Sequence, residues 1–297
     1  MSDGQQVQAR MAELEARFVA WATVHPDIRA AFVIGSRARV DHPADVWSDL
    51  DIVVVTTDSE RYRGDAAWLA AIGVPWLTFV EPTAVGDGRE RRVLFADTYG
   101  LDVDFAIFTP DAFDQLAAGA IESVVRRGMR VLVDKDGAVT RRLTAVTARP
   151  APVSHPPTDR ECLNVINDFW YHALWASKKL RRGELMIAKD ACDGHMKGLL
   201  LQMARWQAGA AHGWAYETWH RGRFLEEWAD PRVLAGLHES YGSYDAADIA
   251  RALRATMRLF SWVARETVAA VGYCYPSDAE ERIVTLVATV LDAVMVS

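Results

Sequence analysis

Ala31-Phe32-Val33-Ile34-Gly35-Ser36-Arg37 and, one loop later, Ser48-Asp49-Leu50-Asp51-Ile52-Val53-Val54-Val55 are the stretches on which the fold of this chain turns. An apolar run ends in Gly-Ser, and a second apolar run begins with Asp-x-Asp. Side chains two apart on a strand share a face, so Asp49 and Asp51 are expected to point the same way. Two carboxylates held together repel one another unless a cation neutralises them. A pair of Mg2+ ions would do so. Such a pair also stabilises the attacking and leaving oxygens of a phosphoryl or nucleotidyl transfer.

A second acidic strand entrance follows in Leu101-Asp102-Val103-Asp104-Phe105-Ala106-Ile107-Phe108. Three carboxylates at the ends of neighbouring strands make an all-oxygen cage, which suits Mg2+ rather than Zn2+. Each piece alone is more often structural. Gly-Ser turns are common, and a lone Asp-x-Asp is often a solvated strand entrance. The conjunction of strand, Gly-Ser, Asp-x-Asp, strand and a later strand Asp is much rarer and points to function.

The rest of the composition narrows the classes. A chain of 297 residues can bury a large core and is expected to fold as two domains. Its net charge of -7 argues against a nucleic-acid partner, because no strong basic patch offsets it. Arg89, Arg91 and Arg92 cluster, as do Arg181 and Arg182, and both groups read as solvated faces or phosphate contacts. Cys162, Cys192 and Cys274 form no Cys-x-x-Cys, so reduced thiols in a cytoplasmic protein are expected. The eight His show no zinc-protease spacing. No signal-peptide pattern opens the sequence. The apolar run at residues 283–296 is short and carries Asp292, so a packed helix rather than a membrane span is expected there.

Residues 5–23 carry apolar positions at near-helical spacing and predict a leading helix. Strands are expected at 31–34, 51–56, 76–80, 92–95, 103–108 and 131–133, with helices at 65–72 and from 111. That alternation is α/β-like, built on a small mixed sheet. Arg149-Pro150-Ala151-Pro152-Val153-Ser154-His155-Pro156-Pro157 then blocks helix and central strand alike and reads as a linker. Thr158 and Glu161 have capping-box spacing, and so do Ser277 and Glu280. Between and around them the pattern is helical, with Ala188, Cys192, His195, Leu199, Met203 and Trp206 on one stripe. Of the eleven Trp, residues 170, 206 and 262 fall on apolar stripes and are expected in the core. Trp214 and Trp219 fall in a loop, where a substrate contact is a weaker reading. The class is therefore α+β, with domains at 1–148 and 159–297 and a Pro-rich linker at 149–158.

The Gly35-Ser36-Arg37 and Asp49-Leu50-Asp51 motifs resemble the nucleotidyltransferase superfamily that includes DNA polymerase β. The closer resemblance is to the aminoglycoside 6-adenylyltransferases, also called streptomycin adenylyltransferases. It extends over nearly the whole chain, through Ala67-Trp68-Leu69, Val103-Asp104-Phe105, Val133-Asp134-Lys135-Asp136, Asp168-Phe169-Trp170 and the segment from Lys178 to Glu184. Arg39 stands where that family usually has Asn, and Leu50 where it has an aromatic. The resemblance implies a polymerase β-like nucleotidyltransferase domain followed by an all-helical substrate-binding domain. It implies Mg2+-dependent transfer of AMP from ATP to a hydroxyl of an aminoglycoside, streptomycin first, with antibiotic resistance as the outcome.

On this reading Asp49, Asp51 and Asp104 hold two Mg2+ ions and carry the catalysis, with Asp104 alternatively taking the acceptor's proton. Asp104 is preferred to Asp102 because it matches the family position. Gly35 lets the backbone approach phosphate, Ser36 adds a hydroxyl, and Arg37 completes the cradle or makes a surface ion pair. Lys178 is expected to reach the triphosphate. Asp168 and Glu184 would bind ammonium or guanidinium groups, or simply solvate a helix face. Glu81 is a further choice for substrate contact or base. The expected partners are ATP and a cationic aminoglycoside, with no nucleic acid and no membrane, and the expected state is a monomer. Rival readings are a nucleotidyltransferase with another small-molecule or protein acceptor, a nucleotide-binding module, and a structural protein with a fortuitous motif.

Overall fold

The two apolar runs of the opening motif become adjacent strands, and the pattern around them explains why. The computed structural model describes residues 3–39, 41–84, 86–116, 118–147 and 155–292. α1 (Asp3–Val24) leads into β1 (Ile28–Ile34), which a 3-10 turn, Gly35–Ala38, closes. β2 (Leu50–Thr56), α2 (Ser59–Gly64), β3 (Pro75–Pro82), β4 (Arg89–Phe95) and β5 (Leu101–Phe108) follow. α3 (Pro110–Gln115), α4 (Ala118–Arg127), β6 (Arg130–Asp134) and α5 (Ala138–Thr147) complete a first unit, Met1–Ala151.

The strands form one sheet in the order β3-β4-β5-β2-β1-β6. The β2–β5 pair is parallel and the other four pairs are antiparallel, so the sheet is mixed and the class is α+β. Its central strands are covered on both faces, which is why they read as unbroken apolar runs. Ala31, Val33, Ile52 and Val54 face the core shared with Val7, Met11, Leu14 and Phe18 of α1. Ala30, Phe32, Val53 and Val55 face the other way, against Phe113, Leu143 and Val146. Burying each such side chain is worth about 1.5–3 kcal/mol. The single helix expected at 65–72 is instead a 3-10 turn, Ala67–Ala71, separate from α2. Asp65 stops the chain between them in extended backbone, and its carboxylate accepts from the Ala67 amide at 2.9 Å.

The second unit, Pro152–Ser297, is built of helices joined by loops, with no strand among its described residues. It comprises α6 (Asp159–Arg181), α7 (Leu185–Asp190), α8 (Met196–His212), α9 (Leu225–Trp228), α10 (Pro231–Ser240), α11 (Ala246–Ala270) and α12 (Ser277–Asp292). Residues 149–154 of the expected linker lie outside the described residues, as do residues 293–296 of the last apolar run. Among the described residues no helix is long and apolar enough to cross a membrane.

Thr158 caps α6 as expected. Its hydroxyl accepts from the Glu161 amide at 3.3 Å, and the Glu161 carboxylate returns a contact to the Thr158 amide at 2.7 Å. Thr158→Ala is therefore expected to cost about 1 kcal/mol, read as a lowered urea midpoint by circular dichroism. The second expected box does not form. Ser277 is the first residue inside α12, and Glu280 turns to Arg265 at 2.6 Å and to Ser261 at 2.6 Å. A charged partner outcompetes a solvated backbone amide for that carboxylate. Trp170 is buried as expected, while Trp219 is buried too and packs in the core rather than standing in an open loop.

The apolar stripe through His195 is also displaced. A π-helical turn, Ala191–His195, joins α7 to α8. The wider turn slips the register, so Met196 enters the core fully buried and His195 comes to the surface.

Candidate active site

Strand register assembles the acidic residues. Asp51 pairs across the antiparallel ladder with Ile34, the residue before Gly35. On its other side it stands opposite Asp104 in the parallel ladder. Asp49 lies just ahead of β2. Oxygens of Asp49, Asp51 and Asp104 all come within 4.8 Å of one another. Phe105, the residue after Asp104, is fully buried between Phe18 at 5.4 Å and Trp68 at 5.0 Å, which anchors the strand carrying that carboxylate.

Gly35 explains itself at this point. Its φ is +73°, a conformation that L side chains rarely adopt, and a Cβ built there would lie 2.1 Å from Asp51 Oδ2. The glycine therefore makes room for the carboxylate as well as for the turn. Ser36 is buried, and its Oγ has no hydrogen-bond partner among the described residues. Asp104 Oδ1 is in the same position. Orphaned buried polar atoms are costly, and two of them bordering an acidic cluster are what a cation and a phosphate group would satisfy. The donor set is all oxygen, which fits a hard divalent ion such as Mg2+.

Asp104 is only 3% exposed. Burial pushes its carboxyl up to about 8, against the pull of the Arg92 guanidinium and with the added charge of Glu90, Asp51 and Asp102. A proton held there below about pH 8 must leave before a cation binds. Mg2+ affinity is accordingly expected to rise by up to about tenfold per pH unit between about pH 6 and pH 8, then to level off. Calorimetric Mg2+ titration across that range checks the slope, and a flat profile would contradict it.

Arg37, expected to complete the cradle or to make a surface ion pair, is bound to the backbone of the loop ahead of β2. Its Nε donates to the Asp49 carbonyl at 2.9 Å, its Nη2 to the Ser48 carbonyl at 2.7 Å, and its Nη1 to Gln8 at 3.1 Å. These bonds hold the loop that carries Asp49, and burial lowers the guanidinium's pKa. Ser36 and Arg37 line a cavity of about 320 Å³ together with Arg39, Arg130, Glu15 and Gln8. A larger one of about 570 Å³ lies in the second unit around Trp170, Trp262 and Arg265, and none of the acidic cluster lines it.

Arg92, read from the sequence as part of a solvated or phosphate-contacting arginine group, instead joins the acidic cluster. It stands opposite Asp104 in the β4–β5 register and reaches Asp104 Oδ2 at 2.7 Å, Glu90 at 3.2 Å and Glu81 at 2.6 Å. Glu81 is thereby one arginine away from Asp104. The signal was the cross-strand pairing, which is invisible until β4 and β5 are registered. Arg91, its neighbour, is buried and donates to the Tyr62 and Arg63 carbonyls, a structural role.

The other expected residues belong to the second unit. Lys178 is exposed on α6. Glu184 is held by Lys179 at 2.8 Å and Arg182 at 2.7 Å. Asp168 is engaged by His172 and His195. The three cysteines form no disulfide, with Cys162 and Cys192 buried and Cys274 exposed.

Known proteins bear on this geometry. The chain is 24% identical over 260 residues to an aminoglycoside 6-adenylyltransferase of Campylobacter jejuni, covering 84% of this chain and 85% of that one. It is 25% identical over 272 residues to an aminoglycoside 6-adenylyltransferase of Bacillus subtilis (strain 168), covering 90% and 92%. Among solved structures, it is similar to the crystal structure of an aminoglycoside 6-adenyltransferase from Bacillus subtilis, with a TM-score of 0.46, 19% identity and coverage of 95% and 98%. The family model described as streptomycin adenylyltransferase matches residues 9–290. That match takes in every residue of the acidic cluster and nearly the whole length, so the chain belongs to the streptomycin adenylyltransferase family.

Proposed function

We propose that the protein transfers AMP from ATP to a hydroxyl of an aminoglycoside, with streptomycin the first choice of acceptor. The observation that carries this reading is the juxtaposition of Asp49, Asp51 and Asp104 with the Gly35-Ser36 turn in a member of this family. The names of the curated relatives support the aminoglycoside as acceptor.

Asp49, Asp51 and Asp104 would hold magnesium, two ions being the expected number. When bound, magnesium would offset the charge of the triphosphate and of the oxygens that gain charge during transfer. Around it, the chain's own groups have distinct work. Gly35 removes the Cβ that would collide with Asp51, and its bare backbone would let a phosphate oxygen approach. Amides of the Gly35–Ala38 turn and the unpartnered Ser36 hydroxyl would donate to phosphate oxygens. Arg37 keeps Asp49 in place through the loop backbone. The acceptor hydroxyl oxygen attacks the α-phosphorus in line, the bond to pyrophosphate breaks, and the hydroxyl proton passes to a carboxylate. Glu81, tied to Asp104 through Arg92, is our choice for that proton or for a cationic group of the acceptor.

The deciding experiment incubates the full chain with ATP, Mg2+ and a panel of aminoglycosides, followed by mass spectrometry. Streptomycin gaining one AMP is the expected product. Its two guanidinium groups should make it a better acceptor than aminoglycosides bearing only amines, through charge-assisted pairing with carboxylates. ATP binding without a mass gain on any aminoglycoside would move the assignment to a different acceptor.

A further inference from the structure

We propose that Asp168, His172 and His195 form a binding site for a divalent transition-metal ion of the zinc, cobalt or nickel type. Asp168 and His172 are four residues apart on α6 and share a face. His195 arrives from the π-helical turn. That turn slips the register so that Met196 fills the core and His195 faces out toward α6. The three ligand atoms lie within 4.8 Å of one another.

The distances suit an ion between them. His172 Nδ1 is 2.6 Å and His195 Nε2 is 2.9 Å from the same oxygen, Asp168 Oδ1, and the two rings are 4.0 Å apart. Bonds of about 2.0–2.1 Å set tetrahedral ligands about 3.3 Å apart, so the two histidine–aspartate pairs need only a sub-ångström widening. The side chains are 28%, 39% and 44% exposed for His172, Asp168 and His195, which leaves a path for the ion and for water to complete its shell. A cavity of about 460 Å³ opens onto both imidazoles, lined also by Trp175, Met186, Ile187 and Asp190. Asp190 adds negative charge at its wall.

Two imidazoles and one carboxylate select a borderline ion, unlike the all-oxygen cluster of Asp49, Asp51 and Asp104. The chain would thus carry two cation sites of different chemistry, and this one does not depend on the transfer reaction. Without an ion the same groups can hydrogen-bond among themselves, with His172 Nδ1 also 3.0 Å from the Asp168 carbonyl oxygen.

Metal-free full-length protein titrated with Co2+ separates the two states. We expect one equivalent bound with visible d–d absorption of nitrogen-ligated cobalt, displaced by Zn2+ and retained in Asp49→Asn. His195→Gln should weaken binding by at least about tenfold. A second reading uses the unaltered chain, where substoichiometric Co2+ should broaden the proton resonances of His172 and His195 selectively. No cobalt bound beyond what Asp49→Asn removes, unchanged affinity in folded His195→Gln, or unperturbed His172 and His195 resonances would each overturn the site.

Discussion

Replacing Asp51 by Asn is expected to lower turnover by at least about 100-fold, and Asp49→Asn to do the same. Asp51 sits between the Gly35 turn and Asp104, at the centre of three carboxylates whose oxygens lie within 4.8 Å. On the proposed function, losing one charge there would remove a magnesium ligand and with it transition-state stabilisation worth several kcal/mol. The fold should persist, because neutralising one of three crowded carboxylates relieves repulsion in the metal-free protein. Thermal melting should show an unchanged or raised midpoint, while product formation from ATP falls. Near-normal turnover in either folded variant would remove these residues from the mechanism.

Gly35→Val should be as damaging for a different reason. The new Cβ would lie 2.1 Å from Asp51 Oδ2, and the residue's φ of +73° disfavours any L side chain by about 1–2 kcal/mol. Either the turn opens or Asp51 is pushed from its place beside Asp104. Both outcomes would take apart the proposed phosphate cradle, so affinity for a non-hydrolysable ATP analogue with Mg2+ should fall at least about tenfold, because the contacts it would lose are charge-assisted. Isothermal titration measures it directly. Unchanged affinity in a folded variant would place the nucleotide away from this turn.

These two variants also separate local from distant information. The closeness of Asp49 and Asp51 is legible from their spacing of two, although Asp49 lies just ahead of β2 rather than within it. The Thr158 cap follows from spacing, and the strands β1 and β2 from unbroken apolar runs that only a two-faced core produces. Ser277 and Glu280 have equally good spacing, yet Arg265 draws Glu280 elsewhere. A local motif loses when a charged partner arrives from another helix.

What the amino-acid order determined by itself was the kind of element and the family: acidic residues at a strand entrance after a Gly-Ser turn, a mixed α+β first half, a helical second half and a family likeness. Tertiary structure alone decided the neighbours. Arg92 meets Asp104 only because β4 lies beside β5 in one register, and a shift of one residue would turn Arg92 to the opposite face. Gly35 abuts Asp51 only because β1 and β2 pair as they do. His195 meets Asp168 only because one π turn slips a helix that periodicity reads as continuous. Periodicity fixes which face a side chain takes along its own element. Which other element stands across from that face depends on long-range pairing and packing, and no local pattern encodes it.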